Sequence, residues 1–296
     1  MVKAIFFGNY FYGLCALSLI VESTVQQRIA FCHWPFYLAV FCLVILYYTH
    51  AYLVESGSRH HERSTWYTKY RKTLIITQST HLVVAVVCIA LYFHDVWKNL
   101  SSRNTPWWLL FVLFPVLVIF YYGTGEKIFR KYSLRRIGWL KPFVIGASWA
   151  GLVTTYPLLF ANLESGETFS LKLVNYLLFL KNMMFITVLC IMFDVKDYVD
   201  DYNQKLKTFV TRFGLRKTIL FIIVPLVMVG FGTFLAYTIS QNFSFMKIAL
   251  NAIPFAALFV VARSLFRRHH IMYYLVIIDG LMLLKGVCGT IAMVYF

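Results

Sequence analysis

Nine times between residues 4 and 294 the sequence runs apolar for nearly the thickness of a bilayer. The segments are roughly 4–21, 33–49, 77–93, 106–122, 142–160, 170–193, 217–239, 246–262 and 272–294. A transmembrane helix needs about 20 such residues, so an all-α polytopic membrane protein is expected, folded as a single domain over 1–296. Some runs fall short of that length or carry polar interruptions, which leaves their boundaries soft. The composition agrees: 60% of residues are hydrophobic, 14% are charged and the mean hydropathy is +0.70. A soluble chain carries about 25% charged residues. The first run follows only Met-Val-Lys and has no A-x-A-like cleavage site, so it reads as a first span and not as a cleaved signal.

With nine spans, most Lys and Arg fall on one side. The other side holds Arg28, Lys98, Arg103, Lys172 and Lys247, while Lys181 and Lys285 lie inside spans. The positive-inside rule then places the basic side, with the N-terminus, in the cytoplasm. The formal charge of +16 is accounted for by topology and anionic lipid, so no nucleic-acid partner is expected. The six cysteines lie scattered without C-x-x-C spacing and read as small packing residues.

The polar stretches that remain gather on the basic side, in loops 49–76, 123–141 and 194–216. The last opens with "FDVKDYVDDYNQKLKTFVTRFG", Phe193 to Gly214. Asp194, Asp197 and Asp201 are spaced i, i+3, i+7 and share one helical face, whereas Asp200 falls outside it. Like charges at this spacing repel. A hard divalent cation relieves them, and Mg²⁺ commonly uses one or two carboxylates plus substrate phosphates. Lys205, Lys207 and Arg212 follow closely enough to neutralise phosphate oxygens. An anionic head with a hydrocarbon tail fits such a mouth, which describes a prenyl diphosphate. The competing reading is a solvated loop whose aspartates and lysines need no ligand.

The same stretch resembles the second aspartate motif of the UbiA family of membrane prenyltransferases, approximately D-x-x-D-x-x-x-D-x-x-x-G-x-K-T-x-P-x-x-x-G. Asp194, Asp197, Asp201, Lys207, Thr208 and Gly214 occupy matching positions. Lys205 stands where the family has Gly and Val210 where it has Pro. "YSLRRIGWLKPFVIG" resembles the family's Y-(S/T)-x-x-K-R segment, with Tyr132, Arg135 and Arg136 as the matching residues. The resemblance implies a nine-helix bundle with a central lipid-open cavity. It implies Mg²⁺ held by Asp194, Asp197 and Asp201, and a diphosphate bound by Lys207, Arg135, Arg136 and Tyr132. The activity implied is transfer of a prenyl group from a prenyl diphosphate to a hydrophobic acceptor, an aromatic ring or quinone precursor. Where the family carries a first motif, N-x-x-x-D-x-x-x-D, this chain reads "YYTHAYLVESGSRHHER". Tyr48 or Thr49 replaces the asparagine, and Glu55 and Glu62 are the only acids, standing as replacement oxygen ligands or as screened surface charges.

Other polar residues give less. His50, His60, His61, His81 and His94 show no ligand spacing beyond one adjacent pair, so no metal is expected there. Among the in-span charges, which are functional candidates by default, Lys181 is expected to snorkel to the far face and Asp279 to form a structural ion pair. Asn9 and Asn182 are expected to hydrogen-bond between helices. Aromatic residues, 19% of the chain, suit a carbocation but also belt and fill membrane bundles. The readings that stand beside the prenyltransferase are a terpene cyclase of the same fold, a non-catalytic lipid-binding or assembly subunit, and a transporter.

Overall fold

The computed structural model describes residues 2–55, 62–122, 137–203, 205–267 and 269–296, and all secondary structure among them is helical. A short α1 (Val2–Phe7) precedes α2 (Tyr10–Gln27) and α3 (Trp34–Glu55). After α4 (Glu62–Lys69) come α5 (Arg71–Leu100) and α6 (Thr105–Tyr122). Then follow α7 (Lys141–Ser165) and α8 (Leu173–Lys196), with the short α9 (Tyr198–Asn203) and α10 (Phe209–Phe213). Last are α11 (Leu215–Ser240), α12 (Phe245–Ser264) and α13 (Ile271–Tyr295).

Among the described residues seven helices are long and apolar enough to cross a membrane: α3, α5, α7, α8, α11, α12 and α13. The protein is therefore a helical, multi-pass membrane protein in its architecture. Two of the nine expected spans differ in kind. Helix α6 is apolar but short. Helix α2 continues past the apolar run into Glu22, Ser23, Gln26 and Gln27, and α1 breaks from it at Asn9, whose φ is 63°. The expected loop 49–76 is also largely helical, divided among the end of α3, all of α4 and the start of α5.

Local chemistry sets several of the ends. Pro142 sits in the first turn of α7, where its missing N–H costs nothing. That helix stops at Gly166 (φ 73°), the left-handed cap glycine favours. Ser244 caps α12 by accepting the Lys247 N–H, and Thr208 caps α10 by accepting that of Thr211.

Helix α8 forms the centre, packed against α7 and α11, while α13 lies between α2 and α12 and α3 pairs with α5. Its Phe185, Val188, Leu189, Ile191 and Met192 are buried. Gly146 brings α7 close: a methyl group there would collide with Thr187 Oγ1 and meet the Met183 carbonyl at 2.9 Å. The outer helices turn Ile76, Val83, Leu109, Phe221 and Val260 outward. In water such faces would be a liability; in lipid they are the expected surface. All six cysteines are free, and all but the half-buried Cys190 are buried.

Candidate functional site

The ends of α8 and α3 and the starts of α2, α7 and α13 meet at one end of the bundle. Asp194 lies in the last turn of α8, buried to 1% exposure. Its Oδ1 accepts from Lys141 Nζ at 2.8 Å, at the first residue of α7. Its Oδ2 is buried and meets no hydrogen-bond donor among the described residues. Asp197 closes α8 as its C-cap, φ −89° and ψ 8°, so the regular helix assumed from the spacing ends there. Asp201 follows on α9, its N–H donating to the Asp197 carbonyl at 2.8 Å. The turn-and-restart keeps the three carboxylates at one helix end. Asp194 and Asp201 both face Lys141 and are both buried, whereas Asp197 is half-buried and 3.2 Å from Lys196 Nζ.

The loop after α9 carries the rest of the predicted motif. Lys205 adopts φ 54°, a left-handed conformation that glycine favours, at the position where the resembled motif has glycine. Gly214 takes φ 77° and ψ 161°, which only glycine adopts readily. Val210 occupies the first turn of α10, where proline is tolerated. Lys207 and Arg212 are exposed. The Lys207 carbonyl lies within 2.8 Å of where a Cβ on Gly138 would stand, so the segment entering α7 presses on this loop. Tyr132, Arg135 and Arg136 precede that segment and lie outside the described residues, as does the Glu55 side chain.

Glu62 is held by two basic partners. Its Oε1 is 2.6 Å from Lys3 Nζ and its Oε2 is 3.2 Å from His270 Nε2. The hydrogen bond from Lys3, aided by the charges of Lys3 and His270, holds its carboxyl below the ordinary value. The first-motif position instead carries uncharged chemistry. Tyr48 stacks on Tyr12 at 4.5 Å and accepts from Trp149 Nε1 at 2.7 Å. Thr49 Oγ1 accepts from Asn9 Nδ2 at 3.0 Å.

The in-span charges correct two expectations. Asp279, 2% exposed, forms no ion pair among the described residues; it faces the Tyr12 hydroxyl and feels Arg63 and Lys196 at longer range. Lys181 does not snorkel. It is 1% exposed, and its Nζ donates to Glu22 Oε1 at 3.1 Å and Gln26 Oε1 at 2.6 Å. Lys285 donates to the other oxygen of Glu22. A lysine 13 residues from the helix end snorkels only when no acceptor lies nearer, and the polar face of α2 supplies one. Asn9 and Asn182 do bond between helices, Asn182 to Ser23 Oγ at 3.2 Å and Thr154 Oγ1 at 2.7 Å. The π-helical turn Gly151–Thr155 shifts the register of α7 there, and the Thr154 carbonyl accepts from Gln27 Nε2 at 3.0 Å.

Lys141, Glu22 and Arg63 are the functional candidates that sequence reasoning missed. Lys141 was legible only as the last basic residue before a span, and Glu22 as the charge that ended one.

Among the described residues no three His, Cys, Asp or Glu side chains form a ready metal cage. Mg²⁺ arriving with a diphosphate needs fewer, one or two carboxylates. Asp197 and the unpartnered Oδ2 of Asp194 fit that lesser demand. Comparison with protein-family models, with curated proteins and with solved structures gives no match to this chain.

Proposed function

We propose that the Asp194 end of the bundle binds a prenyl diphosphate and that the protein is a UbiA-type membrane prenyltransferase, transferring an alkyl group other than methyl, with this end in the cytoplasm. The observation that carries the reading is Asp194: a buried carboxylate with one oxygen on Lys141 and the other without a donor. A buried acceptor left unmade is costly, and a cation entering with a ligand satisfies it. The left-handed Lys205 and Gly214, both at positions where the resembled motif has glycine, support the reading.

Asp194 and Asp197, supported by Asp201, would hold Mg²⁺, which when bound neutralises diphosphate oxygens. Lys207 and Lys141, with Arg135 and Arg136, would add positive charge where the leaving diphosphate accumulates negative charge. The allylic C–O bond breaks with its electron pair leaving on the diphosphate. The π electrons of the acceptor form the new C–C bond, and the acceptor then loses a proton. The aromatic pair Tyr12–Tyr48 with Trp149 offers ring faces to a cation nearby.

A specific observation favours a second reading. Asp194 already owns a partner in Lys141 and, among the described residues, no carboxylate cage is preformed, which suits a non-catalytic subunit holding a phosphorylated lipid. Purified protein incubated with geranylgeranyl diphosphate, Mg²⁺ and a panel of aromatic acceptors decides between them. Diphosphate release that disappears in Asp197→Asn and in EDTA supports the enzyme. Binding without release supports the subunit, and neither binding nor release would sink both.

A further inference from the structure

Among the described residues, Arg63 is a buried cation with no carboxylate in ion-pair contact. It sits in the first turn of α4 at 4% exposure. Its Nη2 donates to the Phe7 carbonyl at 3.3 Å and to Asn9 Oδ1 at 2.6 Å, both neutral oxygens. Its Nε is buried with no hydrogen-bond partner among the described residues. The guanidinium lies 3.6 Å from the centre of the Tyr52 ring, and among the described residues no carboxylate forms an ion pair with it. Asp279 is within electrostatic reach but is not in ion-pair contact with it.

The molecule also shows what a structural arginine looks like. Arg103, at the other end, has Nε on the Asn99 carbonyl, Nη1 on Asn162 and Glu167 oxygens, and Nη2 on Ser102 and Gly166. Every nitrogen is bonded, and the carbonyls it caps end α7, the negative pole of that helix. Arg63 has neither advantage. A ring face offsets part of the cost of burying a guanidinium, but burial without a counter-charge stays unfavourable. A bolt between α1, α3 and α4 needs only a neutral donor at this place.

The surroundings of Arg63 are nonetheless held in place. Asn9, at 0% exposure, donates Nδ2 to Thr49 Oγ1 and to the Tyr67 hydroxyl, each at 3.0 Å, which turns Oδ1 onto Arg63. Tyr67 in turn donates to the Phe7 carbonyl at 2.7 Å. A rigidly held guanidinium with a spare donor suits a phosphoryl oxygen, for which arginine is the better matched cation.

We infer that Arg63 is an anion-binding residue for a phosphate or diphosphate group, and that it acts without a metal. The assignment builds on the proposed ligand of the Asp194 end, supplying positive charge from the α3–α4 wall, where the chain has no aspartates to hold a cation. It has its own test.

Asn9→Asp offers Arg63 an internal carboxylate at the oxygen it already touches, and aspartate tolerates the left-handed backbone there. Thermal unfolding in detergent with EDTA is followed while inorganic pyrophosphate is titrated, and again with geranyl diphosphate. Wild type is expected to be stabilised by both. Equal response places the site on free anions, and a stronger response to the lipid places it on a membrane-borne headgroup; both keep the assignment. Asn9→Asp is expected to unfold at or above the wild-type temperature and to bind pyrophosphate roughly ten- to a hundredfold more weakly, the scale of a lost charge-assisted bond. Should that variant not fold, Arg63→Lys carries the test, keeping the charge and losing the fork, with affinity down about tenfold.

A wild type indifferent to pyrophosphate in EDTA overturns the assignment, as does pyrophosphate binding that survives these substitutions unchanged. A response that appears only with Mg²⁺ and ignores Asn9→Asp removes the Arg63 site and leaves the proposed function standing. A metal-free, Arg63-dependent response that Mg²⁺ does not enhance does the reverse.

Discussion

Lys181 Nζ stands 3.1 Å from Glu22 Oε1, across 159 residues of sequence, inside the bundle. Lys285 takes the second oxygen of the same carboxylate, so one glutamate joins α2, α8 and α13. Gln26 extends the network to Asn251 on α12 at 2.9 Å. Glu22→Gln leaves two buried ammonium groups facing an amide, and breaking a buried pair in this way costs about 3–5 kcal/mol. Thermal unfolding in detergent should show that loss. Adding Lys285→Met should restore part of it, because the second change removes one of the stranded charges. Strictly additive losses would show that the three groups do not act together.

The network depends on how closely α13 approaches α2. A Cβ on Gly286 would stand 2.8 Å from the Ser18 carbonyl oxygen, and one on Gly289 would stand 2.5 Å from Glu22 Cγ. Small residues permit such approach in membrane bundles. Gly286→Ala must move backbone and is expected to cost about 1–3 kcal/mol. Gly232 in α11 has nothing within 4 Å of its added methyl, so Gly232→Ala should be neutral or stabilising by up to about 1 kcal/mol. The pair of melting temperatures checks the packing; equal effects at both glycines would contradict it.

At the other end, Lys141 and Asp194 differ in exposure, with side chains 24% and 1% exposed. Lys141→Met strands a buried carboxylate, whereas Asp194→Asn strands an ammonium that reaches solvent. The first should therefore lower the melting temperature more than the second, by about 3–5 kcal/mol when expressed as stability. The double variant should lie closer to Asp194→Asn than to the sum. An Asp194→Asn variant less stable than Lys141→Met would mean that the pair is more open than its burial indicates.

The aspartates were legible because their partners in the argument are local. A spacing of three and seven residues places Asp194 and Asp201 at one helix end, even though the helix breaks between them. Lys141 was not, because it lies 53 residues away and only the packing of α7 on α8 brings it near. Glu22 was lost for a different reason. An apolar run ends at its first charge, but the helix continues to Gln27 because two lysines on other helices neutralise that charge. Asn9 and Asn182 were read as interhelical bonders, since an amide in an apolar span has little else to do. Lys181 has no acceptor in view if the first helix stops with its apolar run at residue 21; the continuation to Gln27 brings Glu22 and Gln26 to it.

Glu62 gives the pH-dependent case, at the surface and joining three elements: the Lys3 end of α1, α4 and the segment before α13. Its folded carboxyl is held below the ordinary value by the hydrogen bond from Lys3 and the neighbouring charges. A depressed carboxylate binds fewer protons folded than unfolded, so stability rises with pH across that interval. The contribution is therefore fully present above the unfolded value of about 4.3 and is lost as pH falls through the lower folded value. Comparing Glu62→Gln with wild type, the gap in melting temperature should close as pH falls from about 5.5, at least a unit beyond that unfolded value, toward pH 3. Because both partners are exposed, the gap is small and should shrink in high salt. A gap that widens on acidification would mean that Glu62 is better accommodated protonated, and that Lys3 does not hold it in solution.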